Sequence, residues 1–179
     1  NFSIVVKAIE EGRVMFENIR KIILYLMSDA FSEIIIVVGS ISFGLPLPIL
    51  AVQILWINLI SDGFPGLALT IDPKRADIMK EKPRSSRERL VNTWMMSLIG
   101  LISIITGLTC LAVFLLTFKI TGDLVIARSM VFITLGLDSL IYVFSVRTLM
   151  VPFWRSNLFE NKWLIVAVLA GLVLQILPF

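Results

Sequence analysis

Long apolar runs recur from one end of this chain to the other, and several are long enough to cross a hydrocarbon core about 30 Å thick. Of the 179 residues, 58% are hydrophobic. A soluble domain of this size encloses such residues once, whereas here they return run after run, which points to lipid as the surrounding medium. The fold class that follows is all-α, a polytopic transmembrane helix bundle of about five spans.

The spans fall at about 22–43, 49–71, 93–118, 127–146 and 163–179. Residues 1–21 precede them as an amphipathic stretch, mixing Val5, Val6, Ile9, Val14, Phe16 and Ile19 with Lys7, Glu10, Glu11, Arg13, Glu17, Arg20 and Lys21. Nothing breaks this stretch before Ile22, so it reads as a cytoplasmic stalk helix running into the first span, with Gly12 its weak point. Gly44-Leu45-Pro46-Leu47-Pro48 ends that helix and forces a tight reversal. Ser61-Asp62-Gly63-Phe64-Pro65-Gly66 then interrupts the second span. A proline there removes a backbone donor and frees a carbonyl, which is tolerated where the helix faces a cavity or protein interior. The last span is still apolar at Phe179, and Asn1-Phe2-Ser3-Ile4 carries neither an initiator methionine nor a signal peptide. The expectation is a fragment of a larger membrane protein.

The formal charge of +3 does not point to nucleic acid, because the charges cluster between apolar runs. Four Lys and Arg precede the first span, seven lie in the polar loop 72–92, and Arg147, Arg155 and Lys162 follow the fourth span. Only Lys119 and Arg128 fall on the opposite side. This positive-inside bias assigns the amino terminus and both basic loops to the cytoplasm, in a multi-pass protein of the cell membrane. The loop 72–92 has no glycine-rich phosphate motif and reads either as a topology determinant or as a docking surface for a cytoplasmic domain. Cys110 is the one cysteine and there is no histidine, so neither an internal disulfide nor a Cys/His metal site is available.

Ionisable side chains inside a span are costly toward lipid and mark ion paths or bundle contacts. Glu33 lies midway along the first span, with Asp29 one turn before it on the same face. Asn58 and Asp62 are likewise four apart in the second span, and Ser61 adds a hydroxyl. The Gly44–Pro48 reversal makes these spans antiparallel neighbours and brings their polar stretches to comparable depth. Carboxylate, amide, hydroxyl and freed carbonyl oxygens suit a hard cation or a proton. No soft ligand is present, which sets copper and zinc aside. Asp138, in the fourth span, is a further candidate ligand, with pairing to a helix absent from this fragment as its alternative. The other use of all these residues is interhelical hydrogen bonding. Ser28, Ser32 and Ser139 read as packing residues, and Tyr25, Trp56, Trp94, Tyr142, Trp154 and Trp163 as interfacial anchors or packing.

Gln53-Ile-Leu-Trp-Ile-Asn-Leu-Ile-Ser-Asp-Gly-Phe-Pro-Gly-Leu-Ala-Leu69, followed by Asp72-Pro73, resembles the sixth transmembrane helix of the calcium-type and sodium/potassium-type P-type ATPases. Glu11-Gly-Arg-Val-Met-Phe-Glu-Asn-Ile-Arg-Lys21, Tyr25-Leu-Met-Ser28 and Glu33 resemble the stalk and fifth helix. Arg128-Ser-Met-Val-Phe132 looks like the start of the eighth helix and Trp163–Phe179 like the ninth. The resemblance implies the membrane region of an ATP-driven cation pump, with calcium the first candidate and Glu33, Asn58, Asp62 and Ser61 at the ion-binding positions. Two-site calcium pumps carry an asparagine where this chain has Ala30, and their eighth-helix acid falls at or beside Ser139. Ion number and identity therefore stay open.

The resemblance also implies that the phosphorylated aspartate, the ATP- and magnesium-binding domains and four membrane helices lie upstream in the parent. The chain alone is then not expected to hydrolyse ATP, and its partners are the cation, the bilayer and those missing domains, with any accessory subunit unspecified. The competing readings are a proton, sodium or potassium pump, an ion-coupled secondary carrier, and a purely structural membrane protein.

Overall fold

A computed structural model describes residues 2–75, 77–80, 89–148 and 158–177. They form five helices, α1 (Phe2–Ser42), α2 (Ala51–Thr70), α3 (Thr93–Thr121), α4 (Leu124–Arg147) and α5 (Lys162–Ile176), and no strand among the described residues. Single 3-10 turns lie at Ile78–Lys80 and Leu158–Glu160. Helices α1 to α4 are long and apolar enough to cross a membrane. The 15 residues of α5 span about 22 Å at ~1.5 Å per residue, short of the hydrocarbon thickness.

Local polar chemistry sets the helix ends. The third apolar run continues past 118 to Thr121 and stops where Gly122 takes φ 66°, its N–H bonded to the Phe118 carbonyl at 2.9 Å. That left-handed residue caps the helix at no steric cost to glycine. The fourth helix begins at Leu124, ahead of the expected 127, because the Asp123 carboxylate accepts the N–H groups of Val125 and Ile126. Asn92 and Asn161 cap α3 and α5 in the same way. Between α1 and α2, Ser40 Oγ donates to the Pro46 carbonyl at 2.8 Å and fastens the reversal.

Helix α1 packs along α3, and α3 along α4. Gly107 is what lets α1 and α3 approach: a Cβ there would stand 2.7 Å from Ile35 Cγ2 and 2.9 Å from Ile35 Cβ. Small residues at crossings are how helices pack in a medium as apolar as their own side chains. One apolar core gathers Leu24, Leu69, Met95, Ile99, Val143 and Leu164, and another Ile36, Ile57, Leu111, Phe114, Val131 and Phe132. Leu55, Leu59, Ile104, Leu108, Val166 and Val173 point outward, as lipid-facing side chains do.

Past the end of α2 the bundle is tied by charge. The buried Asp72 carboxylate accepts Lys21 Nζ at 2.8 Å on one oxygen, and Arg147 Nε at 2.7 Å with Asn161 Nδ2 at 3.0 Å on the other. Asn18 Nδ2 donates to the Asp72 carbonyl at 3.0 Å. One residue thereby joins α1, α2, α4 and the cap of α5. Arg75 and Lys21 both reach Glu17, and Arg13 Nη1 donates to the Ile78 carbonyl at 2.9 Å, so the described part of the basic loop lies against α1. Glu10 sits 2.8 Å from Lys74 and holds that exposed ammonium above its usual pKa. Lys82, Arg84 and Arg87 of this loop, and Trp154 and Arg155 of the next, lie outside the described residues.

Removing the central carboxylate of a buried ion cluster leaves its cations short of counter-charge, at about 3–5 kcal/mol. Asp72→Ala is expected to lower stability by that order in thermal unfolding of the detergent-solubilised protein, and Glu10→Ala, in an exposed pair, by ~0–1 kcal/mol. Equal effects of the two would remove Asp72 from its central position.

Candidate functional site

Pro65 has no N–H, and its ring crowds the carbonyl four residues back, that of Ser61. Immediately before it the helix widens into a π-helical segment, Ile57–Asp62, a distortion frequent at functional sites. Ser61 and Asp62 lie fully inside the bundle there. The Ser61 carbonyl, short of a helical donor, accepts the Tyr25 hydroxyl of α1 at 2.9 Å.

Tyr25, Asp29 and Glu33 follow one another at helical-turn spacing on α1, and all three are buried. Asn58 Nδ2 donates to the two Glu33 carboxylate oxygens at 3.1 and 3.3 Å, and to the Ile54 carbonyl at 3.0 Å. Asp62 turns to α4, where its Oδ1 accepts the Ser139 hydroxyl. Its Oδ2 is buried without a hydrogen-bond partner among the described residues. Ser139 Oγ also stands 2.6 Å from the Tyr25 hydroxyl and 3.1 Å from Asp29 Oδ2.

The structure thus brings Glu33 to Asn58 directly and places Asp62 with Asp29 and Ser139. Ser61 takes part through its carbonyl, while its hydroxyl donates to Gln175 Oε1 of α5 at 3.2 Å. Gln175 Nε2 in turn donates to the Phe132 carbonyl of α4 at 3.0 Å. Asp138 accepts Thr106 Oγ1 of α3 at 2.9 Å, on a different bearing from Ser139. Tyr25 and Ser139, which read as packing residues in the sequence, stand at the centre of the network. The spacing of Tyr25 from Asp29 and Glu33 was the available signal for the first. Gln175, the one amide in the last apolar run, was the corresponding signal on α5.

No group of three or more His, Cys, Asp or Glu converges at metal-binding distance among the described residues. Nor does any Lys or Arg there pair with Asp29, Glu33 or Asp62. An ion held here would draw on carboxylates in pairs, completed by hydroxyl, amide and carbonyl oxygens. Such a set suits a hard cation.

Fold and site together define a multi-pass helical membrane protein with a buried acidic and hydroxyl-rich centre. Residues 46–178 match the family described as cation transporting ATPase, C-terminus, and the chain belongs to that family. It is 36% identical over 192 residues to calcium-transporting ATPase 1 of Bacillus cereus, covering 98% of this chain and 22% of that protein. To the calcium-transporting ATPase of Bacillus subtilis it is 36% identical over 177 residues, covering 98% of this chain and 20% of that protein. The chain therefore spans about a fifth of the length of these relatives.

Tyr25→Phe keeps the buried ring and removes only the hydroxyl, and Ser139→Ala removes its 2.6 Å partner. Each is expected to cost about 1–3 kcal/mol, as buried acceptors left without donors do. Because the two share a contact, the double variant should lose less than the two effects added, by ~0.5 kcal/mol or more. Thermal unfolding of the four proteins closes the cycle, and strict additivity would mean that the two hydroxyls act independently.

Proposed function

We propose that this chain is the cation-translocating membrane region of an ATP-driven P-type pump, and that the cation is calcium. The observation that carries the reading is the pairing of Glu33 with Asn58 across α1 and α2, beside the π-helical turn that buries Asp62. The names of the Bacillus relatives support calcium. The ion lies between the first two spans, with Glu33, Asn58 and Asp62 as principal ligands and Ser61 and Asp138 as contributors. The Asn58 amide now offers its N–H to Glu33. An arriving cation displaces that donor, and the amide turns to present its oxygen.

Asn58 is exposed in this chain, beside exposed Leu55 and Leu59. A polar amide at that depth is costly against lipid, so further helices of the whole pump cover it. ATP and magnesium act in cytoplasmic domains of the parent, and phosphorylation there reaches the site through α1 and the basic loop packed on it. The excess of Lys and Arg on one side supports a cytoplasmic amino terminus in a cell-membrane protein.

ATP-dependent calcium uptake by proteoliposomes containing the full-length pump tests this reading. Asp62→Asn and Glu33→Gln are each expected to reduce uptake and ion-dependent phosphorylation at least ~10-fold, about 1.4 kcal/mol or more of lost ion binding. Uptake of sodium, potassium or protons in place of calcium would keep the pump and replace its cargo. Full calcium dependence in Asp62→Asn would strike Asp62 from the ligands.

A further inference from the structure

From Leu164 to Ile176, α5 carries no polar side chain except that of Gln175. Gln175 is 4% exposed, and a primary amide taken that far from water is strongly disfavoured unless it finds partners. Gly136 of α4 opens the way to one. In a helix the carbonyl of residue 132 faces the turn that carries residue 136. A Cβ at 136 would stand 2.6 Å from Gln175 Cδ, in the space the amide fills. With no side chain there, Gln175 Nε2 reaches the Phe132 carbonyl at 3.0 Å.

That one contact orients the rest. A carbonyl oxygen only accepts, so the amide turns its nitrogen to Phe132 and its Oε1 away. Oε1 is itself only an acceptor, and the Ser61 hydroxyl 3.2 Å from it is therefore the donor. The single proton of Ser61 thus points to α5. Ser61 Oγ lies wholly buried on the π-helical segment and has no other hydrogen-bond partner among the described residues. What it has left to present is lone pairs, the form in which a hydroxyl oxygen meets a hard cation. Without Gln175 the hydroxyl could turn its proton to a carboxylate of the centre, as Ser139 does to Asp62, and so compete with an ion for the same oxygen.

We propose that Gln175 is a positioning residue for cation binding. Held by the Phe132 carbonyl in the gap left by Gly136, it draws the Ser61 proton toward α5 and keeps the Ser61 oxygen open to the ion. Helix α5 thereby takes part in ion binding without supplying a ligand. This inference rests on the reading of the chain as the membrane region of a calcium pump with Ser61 among the ligands. The competing role for a buried amide is interhelical bonding alone, and calcium affinity separates the two.

Equilibrium binding of radioactive calcium to the full-length pump in detergent, without ATP, supplies that affinity, with the melting temperature as a separate measure of packing. Gln175→Met fills similar space without the amide and is expected to weaken binding about 3–10-fold, the range of one neutral hydrogen bond. Ser61→Ala is expected to weaken it at least as much, and the double variant no further, because the amide then has no hydroxyl to orient. Unaltered affinity in folded Gln175→Met, or a loss that adds in full to that of Ser61→Ala, makes Gln175 a packing residue and overturns the proposal. Unaltered affinity in Ser61→Ala strikes Ser61 from the ligands and the proposal with it, while the pump reading stands. If Gln175→Met does not fold, Gln175→Asn decides: it keeps an amide but draws it back from Ser61 Oγ, and unaltered affinity overturns the proposal. Absence of calcium binding by the unmodified protein removes the calcium reading itself, and this inference with it.

Discussion

The buried centre depends on one missing hydrogen bond. With no N–H at Pro65, the Ser61 carbonyl looks outside its own helix for a donor, and the Tyr25 hydroxyl of α1 supplies it. With an N–H at position 65 that carbonyl would have a donor in its own helix and would not need the Tyr25 hydroxyl. The widened segment that precedes Pro65 instead buries Ser61 and Asp62. Ser139, bonded to both Tyr25 and Asp62, extends the hold to α4, and Gln175 extends it to α5. A single imino acid thus organises polar contacts among four helices.

A second set of polar contacts ties the same helices at the ends of α2 and α4. Asp72 follows α2 closely and receives Lys21 from α1, Arg147 from α4 and Asn161 from the cap of α5. Between the two sets lies the core of Leu24, Leu69, Met95 and Val143. This is close-packed material that resists compression. A displacement of α1 along its axis therefore has to move Lys21 against Asp72 and Tyr25 against Ser61 together. The 41 residues of α1 run as one helix from the amphipathic stretch to Ser42, so force applied near Glu10 or Glu17 reaches Glu33 without passing through a loop.

The architecture was legible because apolar runs and their breakers are local signals. Five runs give five helices, and Gly44, Pro46 and Pro48 mark the first reversal in the sequence itself. Helix ends were less legible: Asp123 and Gly122 move boundaries by a few residues through single hydrogen bonds that hydropathy does not register. The acids and amides of the first two spans stood out because such groups are rare in apolar runs. Which of them meet was not legible. Asn58 and Asp62 share a spacing that would place them on one face of a regular helix, yet the π-helical turn sends Asn58 to Glu33 and Asp62 to Ser139. Ser139 looked like packing because a serine in an apolar helix commonly bonds its own backbone, as Ser28 does to Leu24. Its actual partners come from helices about 80 and 110 residues away in the chain, as the separations of 77 and 110 show.

The charge balance of the centre separates its two halves. Asn58 Nδ2 has two protons for three acceptors, the two Glu33 carboxylate oxygens and the Ile54 carbonyl, so that pair is held by a shared neutral donor. Asp29 and Asp62 have no comparable donor, because Ser139 divides one proton between them. Desolvation costs bear hardest on the pair with fewer donors. Asp62 belongs to the poorly satisfied half and yet lies in the same turn of α2 as Asn58. The two halves of the polar network are thus joined through one short π-helical segment of α2.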